Sequence, residues 1–495
     1  MATQHPDNAC PSFITGRRFI SAQEEIEECY RCFSELGVQE FMWDWEGKFV
    51  DEAVIDRLYT QYRDYFQKHQ LGKDLFLTFR VPNIWIESSH KLPRAFMSMI
   101  SAEEAAKNYG FHSPPLFEAI LPMTTSAAQL EYLQKTFRKT LKATKDIFDL
   151  KSEMRMLEVI PLFEEFDTMA DAKAILQTYT KFLKKEYRYT PEYMRVFIAR
   201  SDPAMNAGFL PAKLALKVAM NAYHEFATES GIPVYPWVGG GSLPFRGGIN
   251  PHNIDSVLEQ YKGAATVTIQ SAFRYDYPLA EVKTAIARLN KELPKTMTRY
   301  ERVTKAEASM LKSFNRDSAG WYQKTIESVA DLINTMASKL PSHRERVQHI
   351  GLYGYSRGIG KVRLPRAISF TGALYSLGIP PELIASGRAL KFAKELNIVP
   401  LIDRLCPQLK SDFDRAGRYL NRENLDLLCK ENAVWKTVRS ELEHIEAYMG
   451  SALGPQKPHH MIHRNLSSTM LHKLKLGQDF SSEALQAAEI RRSLG

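Results

Sequence analysis

Short apolar runs, each stopped by a polar residue or a glycine and separated by stretches of helical spacing, predict an α/β fold. The expected form is an eight-stranded (β/α)8 TIM-type barrel with extensive additional C-terminal helices. Three observations carry this expectation. The alternation persists to about residue 275, which implies parallel strands joined by helical crossovers. Seven such units fall one short of a barrel, and the N-terminal segment ending at His5 supplies the eighth strand. Beyond residue 280 helix follows helix. A doubly wound open sheet is the competing layout; periodicity does not separate the two, and closure rests on the count.

The candidate strands are Phe41–Trp45, Leu75–Arg80, Ala119–Thr124, Leu157–Glu164, Met194–Asp202, Pro233–Gly239 and Ala265–Gln270. Helical spacing fills Asp51–Gln67, Ala127–Phe148, Met169–Lys184 and Lys213–Glu229, then Ala280–Leu293, Lys305–Phe314 and Gly320–Leu340. The segment Pro455–Ser468, with two prolines and a group of histidines, reads as a loop or clamp before a last helix. The division expected is a barrel over residues 1–278 and a mostly helical region over 279–495, acting together as one integrated domain. In a barrel the carboxyl ends of the strands share one mouth, so His5, Trp43, Arg80, Glu164, Asp202 and Gln270 should converge there.

A chain of 495 residues with 44% hydrophobic and 25% charged residues has ample material for a core, which argues against disorder. The net charge of +8 suits an acidic partner. Basic residues are spread along the chain without a Lys/Arg run interleaved with aromatics, so a small anionic substrate is favoured over nucleic acid. Five cysteines give no disulfide framework, and no apolar stretch approaches a membrane span; the expectation is a cytoplasmic protein with neither membrane nor nucleic-acid partner.

Several motifs suit anion chemistry. The run Gly239–Gly248 holds Gly240, Gly241 and Ser242 and one arginine, Arg246, and reads either as an anion-binding loop or as a plain turn. Glu164 and Asp202 each close an apolar strand; two such carboxylates suit Mg²⁺ or Mn²⁺, while Asp202 could equally cap the next helix. Arg357, Lys361, Arg363 and Arg366 fall within ten positions, as a phosphate-closing loop or a solvated basic one. Cys29 and Cys32 have the spacing of a zinc pair but sit in a helical pattern with no second pair. His112, His349, His459, His460 and His463 read as surface or packing residues.

Taken in order, Thr3–Asn8, Phe79–Asn83, Pro161–Glu164, Ser201–Asp202, Gly241–Ser242, Arg246–Gly248, Ser356–Arg357 and Pro365–Ile368 resemble phosphoenolpyruvate carboxylase, and the length and opening resemble the archaeal type of that family. The resemblance implies a closed barrel, a homotetramer, and the carboxylation of phosphoenolpyruvate by bicarbonate to oxaloacetate and phosphate. It implies a divalent metal, Mg²⁺ or Mn²⁺, on Glu164 and Asp202. Arg80, Arg246, Arg357 and Arg366 would handle phosphoenolpyruvate and carboxyphosphate, His5 would act as base on carboxyphosphate, and Trp43 would lie near bicarbonate. Gly240, Gly241, Ser242 and Gln270 are expected on the substrate. The chain departs from the longer form of the family at Met205, where a lysine is expected, and at Gly240, where an arginine is; Arg200 or Lys213 is the candidate for the missing charge. The alternatives are another metal-dependent phosphoenolpyruvate or pyruvate barrel lyase, or a basic nucleic-acid-binding protein.

Overall fold

The computed structural model describes residues 1–4, 8–14, 20–45, 50–86, 90–150, 152–341, 358–359 and 362–495. Eight parallel strands lie in chain order: β1 (Ala2–Thr3), β2 (Glu40–Asp44), β3 (Phe76–Arg80), β4 (Glu118–Leu121), β5 (Glu158–Phe163), β6 (Met194–Ala199), β7 (Val234–Gly239) and β8 (Thr266–Val267). All seven expected strands have a counterpart here, and the segment before residue 5 provides β1.

The expectation of a closed TIM-type (β/α)8 barrel is corrected. The sheet is an open, curled one that runs from β1 to β8 without a ladder between those edge strands. The edges approach only at an isolated bridge, Ala2 to Ile269, through Thr3 N–H to the Ile269 carbonyl (3.1 Å) and Ile269 N–H to the Met1 carbonyl (2.8 Å). Both edge strands are two residues long. Just past β8, the Thr268 hydroxyl is spent on the backbone of Gly240. Too little extended backbone is left at the seam for a ladder.

Side-chain alternation along the strands sorts two layers. Met42, Ile120, Ile160, Leu162, Phe197, Ala199 and Trp237 form a core on the concave face, with Phe197 stacked on Trp237 at 4.0 Å between ring centroids. Their neighbours Phe41, Trp43, Phe79, Ala119, Val159, Phe163, Val196, Ile198 and Val238 face outward into the larger core beneath the helices. Those include Ala127–Phe148, Phe166–Tyr187 and Phe209–Ser230, each following a strand as the crossover pattern requires.

Among the described residues the C-terminal half is helical apart from one short antiparallel pair, Gly358–Ile359 with Val362–Arg363. The two helical patterns expected between residues 305 and 340 are one helix, Lys305–Ala337, opened by a capping box in which Thr304 and Glu307 satisfy each other's backbone N–H groups. A second core joins this half to the sheet side, with Ala204, Met205, Phe209, Leu214 and Phe245 packed among Leu311, Tyr322, Phe370, Leu374 and Leu383. The segment expected as a clamp is instead mostly the first half of the helix Pro458–Lys475, with Pro458 in the first turn where its missing N–H costs nothing. No helix among the described residues is long and apolar enough to cross a membrane.

Candidate active site

The carboxyl ends of the strands surround a cavity of about 230 Å³ whose walls include Asp44, Arg80, Glu164, Asp202, Arg246, Gln270 and Arg366. Elements distant in sequence thus bring three guanidinium groups and three carboxylates to one mouth.

Arg80 ends β3 directly opposite Asp44 in the register of β2 and β3. Parallel register partners project on the same face, so Arg80 donates from Nε to Asp44 Oδ1 (2.8 Å) and from Nη2 to Oδ2 (2.5 Å). This two-point grip fixes the plane of the guanidinium. Asp44 is a residue that reading strand ends missed. The signal was there in the period of two: with Met42 facing inward, Asp44 must face inward and Trp43 outward. The structure places Trp43 in the core beneath the helices, its indole Nε1 donating to the Asp51 carbonyl (3.2 Å), and not on the cavity wall.

Glu164 follows β5 and is buried; its Oε2 accepts the Met123 N–H at 3.0 Å. Met123 holds a left-handed backbone (φ 47°), rare for a non-glycine residue, and its amide points at the carboxylate from that conformation. Asp202 lies in the first turn of the helix Ser201–Ala207, so β6 stops at Ala199, three residues before the expected end. There the helix dipole favours a negative charge, and the same residue lines the cavity.

Arg246 is buried on the single 3-10 turn Pro244–Arg246. Its guanidinium donates to Ser201 Oγ (3.1 Å) from Nε, to the Gly495 carbonyl (2.6 Å) from Nη1, and to Gln270 Oε1 (2.7 Å) from Nη2. The glycine run makes room for this return. A Cβ on Gly241 would stand 3.0 Å from Arg246 Cζ, and one on Gly240 would stand 2.8 Å from the Arg246 carbonyl. Gly240 and Gly241 therefore accommodate the arginine, while Gly239 is the loop glycine on the cavity wall. Ser242 is buried against a second cavity, of about 380 Å³, lined also by Arg418 and Arg491.

Gln270, which immediately precedes the helix Ser271–Tyr275, and Arg366, which precedes Ala367–Ser376, both reach the mouth. His5 and Arg357 lie outside the described residues. Neither candidate for the missing charge lines the cavity: Arg200 is buried elsewhere, and Lys213 is bound to Asp412 and to Gln260 Oε1 (2.7 Å). Met205 sits fully buried in the second core, where a lysine would leave an ammonium among apolar side chains.

The donor set fits a hard divalent cation. Glu164 and Asp202 offer carboxylate oxygens at one cavity, and Mg²⁺ typically takes one or two carboxylates and completes its shell with water and substrate oxygens. Among the described residues, no cluster of three or more His, Cys, Asp or Glu side chains forms an all-protein metal cage.

A curled parallel sheet with arginines and carboxylates at its strand ends defines an α/β enzyme built for an anionic substrate. A family description, phosphoenolpyruvate carboxylase, matches residues 1–495. The chain is 39% identical over 500 residues to phosphoenolpyruvate carboxylase of Leuconostoc mesenteroides, covering 100% of this chain and 98% of that one. It is 38% identical over 519 residues to phosphoenolpyruvate carboxylase of Metallosphaera sedula, covering 100% and 99%. Haloferax volcanii malate synthase, a solved structure, overlaps 68% of this chain and 93% of its own at 11% identity, with a TM-score of 0.37, too low to bear on the fold. The chain belongs to the phosphoenolpyruvate carboxylase family.

Proposed function

We propose that the strand-end cavity carries out the family's reaction, in which phosphoenolpyruvate and bicarbonate give oxaloacetate and phosphate. The observation that carries this reading is the convergence of Arg80, Arg246 and Arg366 with Glu164 and Asp202 around one cavity. Bicarbonate attacks phosphorus, the bond from phosphorus to the enol oxygen breaks, and carboxyphosphate and the enolate of pyruvate form. Phosphoryl transfer asks a protein mainly for in-line positioning and for positive charge on the spreading oxygens. Arg80, held flat by Asp44, and Arg246, held by Ser201 and Gln270, are pre-oriented for that role.

A divalent cation on Glu164 and Asp202, Mg²⁺ or Mn²⁺, supplies further positive charge to substrate oxygens when bound. His5, by resemblance, takes the proton of carboxyphosphate, which then breaks into carbon dioxide and phosphate; imidazole has a suitable pKa near neutrality. The enolate carbon attacks carbon dioxide before water can protonate it. The apolar floor of Leu162, Phe197 and Ala199 supports this step by limiting water.

The finer reading is the short, archaeal type of the family; near-complete coverage of relatives of similar length supports the short form, and the archaeal label rests on the resemblance of the opening residues, since the relatives include a bacterial chain. We read residues 279–495 as part of the same catalytic unit, since Arg366 lines the cavity and the Gly495 carbonyl holds Arg246. A cytoplasmic homotetramer is the expected assembly, and five free thiols suit a reducing compartment. The test is oxaloacetate formation from phosphoenolpyruvate with and without bicarbonate and Mg²⁺. Dependence on both is expected; phosphate release that ignores bicarbonate would favour a different lyase.

A further inference from the structure

Arg246 is gripped at its guanidinium, but a guanidinium is only as well placed as the turn that carries it. That turn is one 3-10 turn long, and its Phe245 N–H points away from the cavity into the helical half, where it donates to Glu382 Oε1 at 2.7 Å. The same oxygen accepts the Tyr375 hydroxyl at 2.8 Å. Glu382 is fully buried and belongs to another 3-10 turn, Pro381–Leu383. Among the described residues no lysine, arginine or histidine forms an ion pair with it, and its Oε2 has no hydrogen-bond partner. No cation among the described residues offsets its burial: Asp412 adds like charge, and only hydrogen bonds, from the Tyr375 hydroxyl and from backbone amides including that of Phe245, favour the charged form.

A buried carboxyl without a cation is an expensive way to hold a core together, since an apolar residue of similar size would pack there without desolvating a charge. Beyond its own turn, its side-chain polar contacts are the Tyr375 hydroxyl and the amide adjoining Arg246. Phe245 itself packs on Phe370, so the turn is seated in the second core by its ring and aimed by its amide.

Building on the cavity reading above, we propose that Glu382 is the positioning residue of Arg246. It reaches out of the helical half to fix the turn through the Phe245 N–H, and so sets where the guanidinium meets the substrate phosphoryl group. Glu382 touches no cavity wall and acts only through this amide.

The test uses the full chain and reads kcat/KM for phosphoenolpyruvate in Glu382→Met, Glu382→Gln, Arg246→Lys and the Glu382→Met/Arg246→Lys pair. Glu382→Met, which keeps length but offers no oxygen, should lower kcat/KM about tenfold, the cost of one misplaced hydrogen-bonded contact. Glu382→Gln keeps an accepting oxygen and should stay within about threefold of the parent. On the Arg246→Lys background, Glu382→Met should add less than about twofold, because the group it positions is gone. Equal losses on both backgrounds, or an unchanged kcat/KM in Glu382→Met, would overturn the proposal. If Arg246→Lys alone is silent, the fault lies instead with the placing of Arg246 in the active site. Should Glu382→Met not fold, amide exchange at Phe245 in Glu382→Gln decides. The exchange rate and kcat/KM should then both stay within about threefold of the parent, any loss in kcat/KM tracking faster exchange and disappearing on the Arg246→Lys background, and a change in either one without the other refutes the link.

Discussion

The two ends of the curled sheet are built from the same strands and the same inward-facing parity, yet they handle charge in opposite ways. At the amino ends, Arg195 of β6 donates to Glu40 Oε1 (2.8 Å) and Oε2 (2.7 Å) and to Glu118 Oε2 (2.5 Å); Thr78 adds a bond to Glu40 at 2.5 Å and Tyr193 one to Glu118 at 2.9 Å. Burial favours the neutral acid at Glu40, but Arg195 prevails and holds its carboxyl below the usual range; at Glu118 burial wins and pushes the carboxyl up. At the carboxyl ends, only four residues further along β2, Asp44 and Arg80 make a comparable pair, but they border an open cavity of about 230 Å³. A charge whose partners close around it is a plug. A charge gripped on one side and facing a cavity is a tool.

The difference can be broken from either end. The largest expected effect is at the base. Arg195→Met leaves two buried glutamates without their cation and should cost about 3–5 kcal/mol of stability in urea unfolding, while KM for phosphoenolpyruvate in the folded fraction stays as it was. A raised KM with unchanged stability would erase the distinction between the ends.

A smaller effect belongs to Glu382. Burial pushes its carboxyl up to about 7, against about 4.3 in an unfolded chain. Between those values the folded chain keeps a proton that the unfolded chain has lost, so this group's contribution to stability declines as pH rises from about 5 to about 8. Glu382→Gln removes that slope, on the order of 3 kcal/mol in full, and thermal melts at both pH values should draw together. Melts that separate as widely as the parent's would show that Glu382 is not the group responsible.

At the mouth, Asp44→Asn keeps one accepting oxygen but loses the charged two-point grip on Arg80, and KM for phosphoenolpyruvate should rise about tenfold. Smallest is Trp43→Phe. Because the indole faces the helices, the variant should lose about 1 kcal/mol of stability and leave KM for bicarbonate within about twofold. A large rise in that KM would restore Trp43 to the site.

Much of this was legible in the sequence. The apolar runs located seven of the eight parallel strands and the count supplied the first, while the short pair Gly358–Ile359 and Val362–Arg363 went unread; the polar stops named Arg80, Glu164 and Gln270, because a strand end is where a buried run must give way to chemistry. Asp202 was legible as a cavity residue, though not as the start of a helix. What escaped had physical reasons. Trp43 and Asp44 are adjacent, and only the parity of the strand decides which of them faces inward. Closure depended on how much extended backbone the two edge strands could spare, which residue patterns over two positions cannot reveal. Glu382 and Gly495 reach Arg246 from sequence separations of 136 and 249 residues, the first through Phe245, and no local pattern links them.

The most direct test sets the two ends side by side: oxaloacetate formation from phosphoenolpyruvate and bicarbonate by the parent, Arg246→Lys and Arg195→Met, under conditions where each is folded. The account predicts that Arg246→Lys loses at least about 100-fold in kcat/KM, since lysine keeps the charge but not the fork, while Arg195→Met stays within about twofold. An active Arg246→Lys beside an inactive, folded Arg195→Met would contradict it.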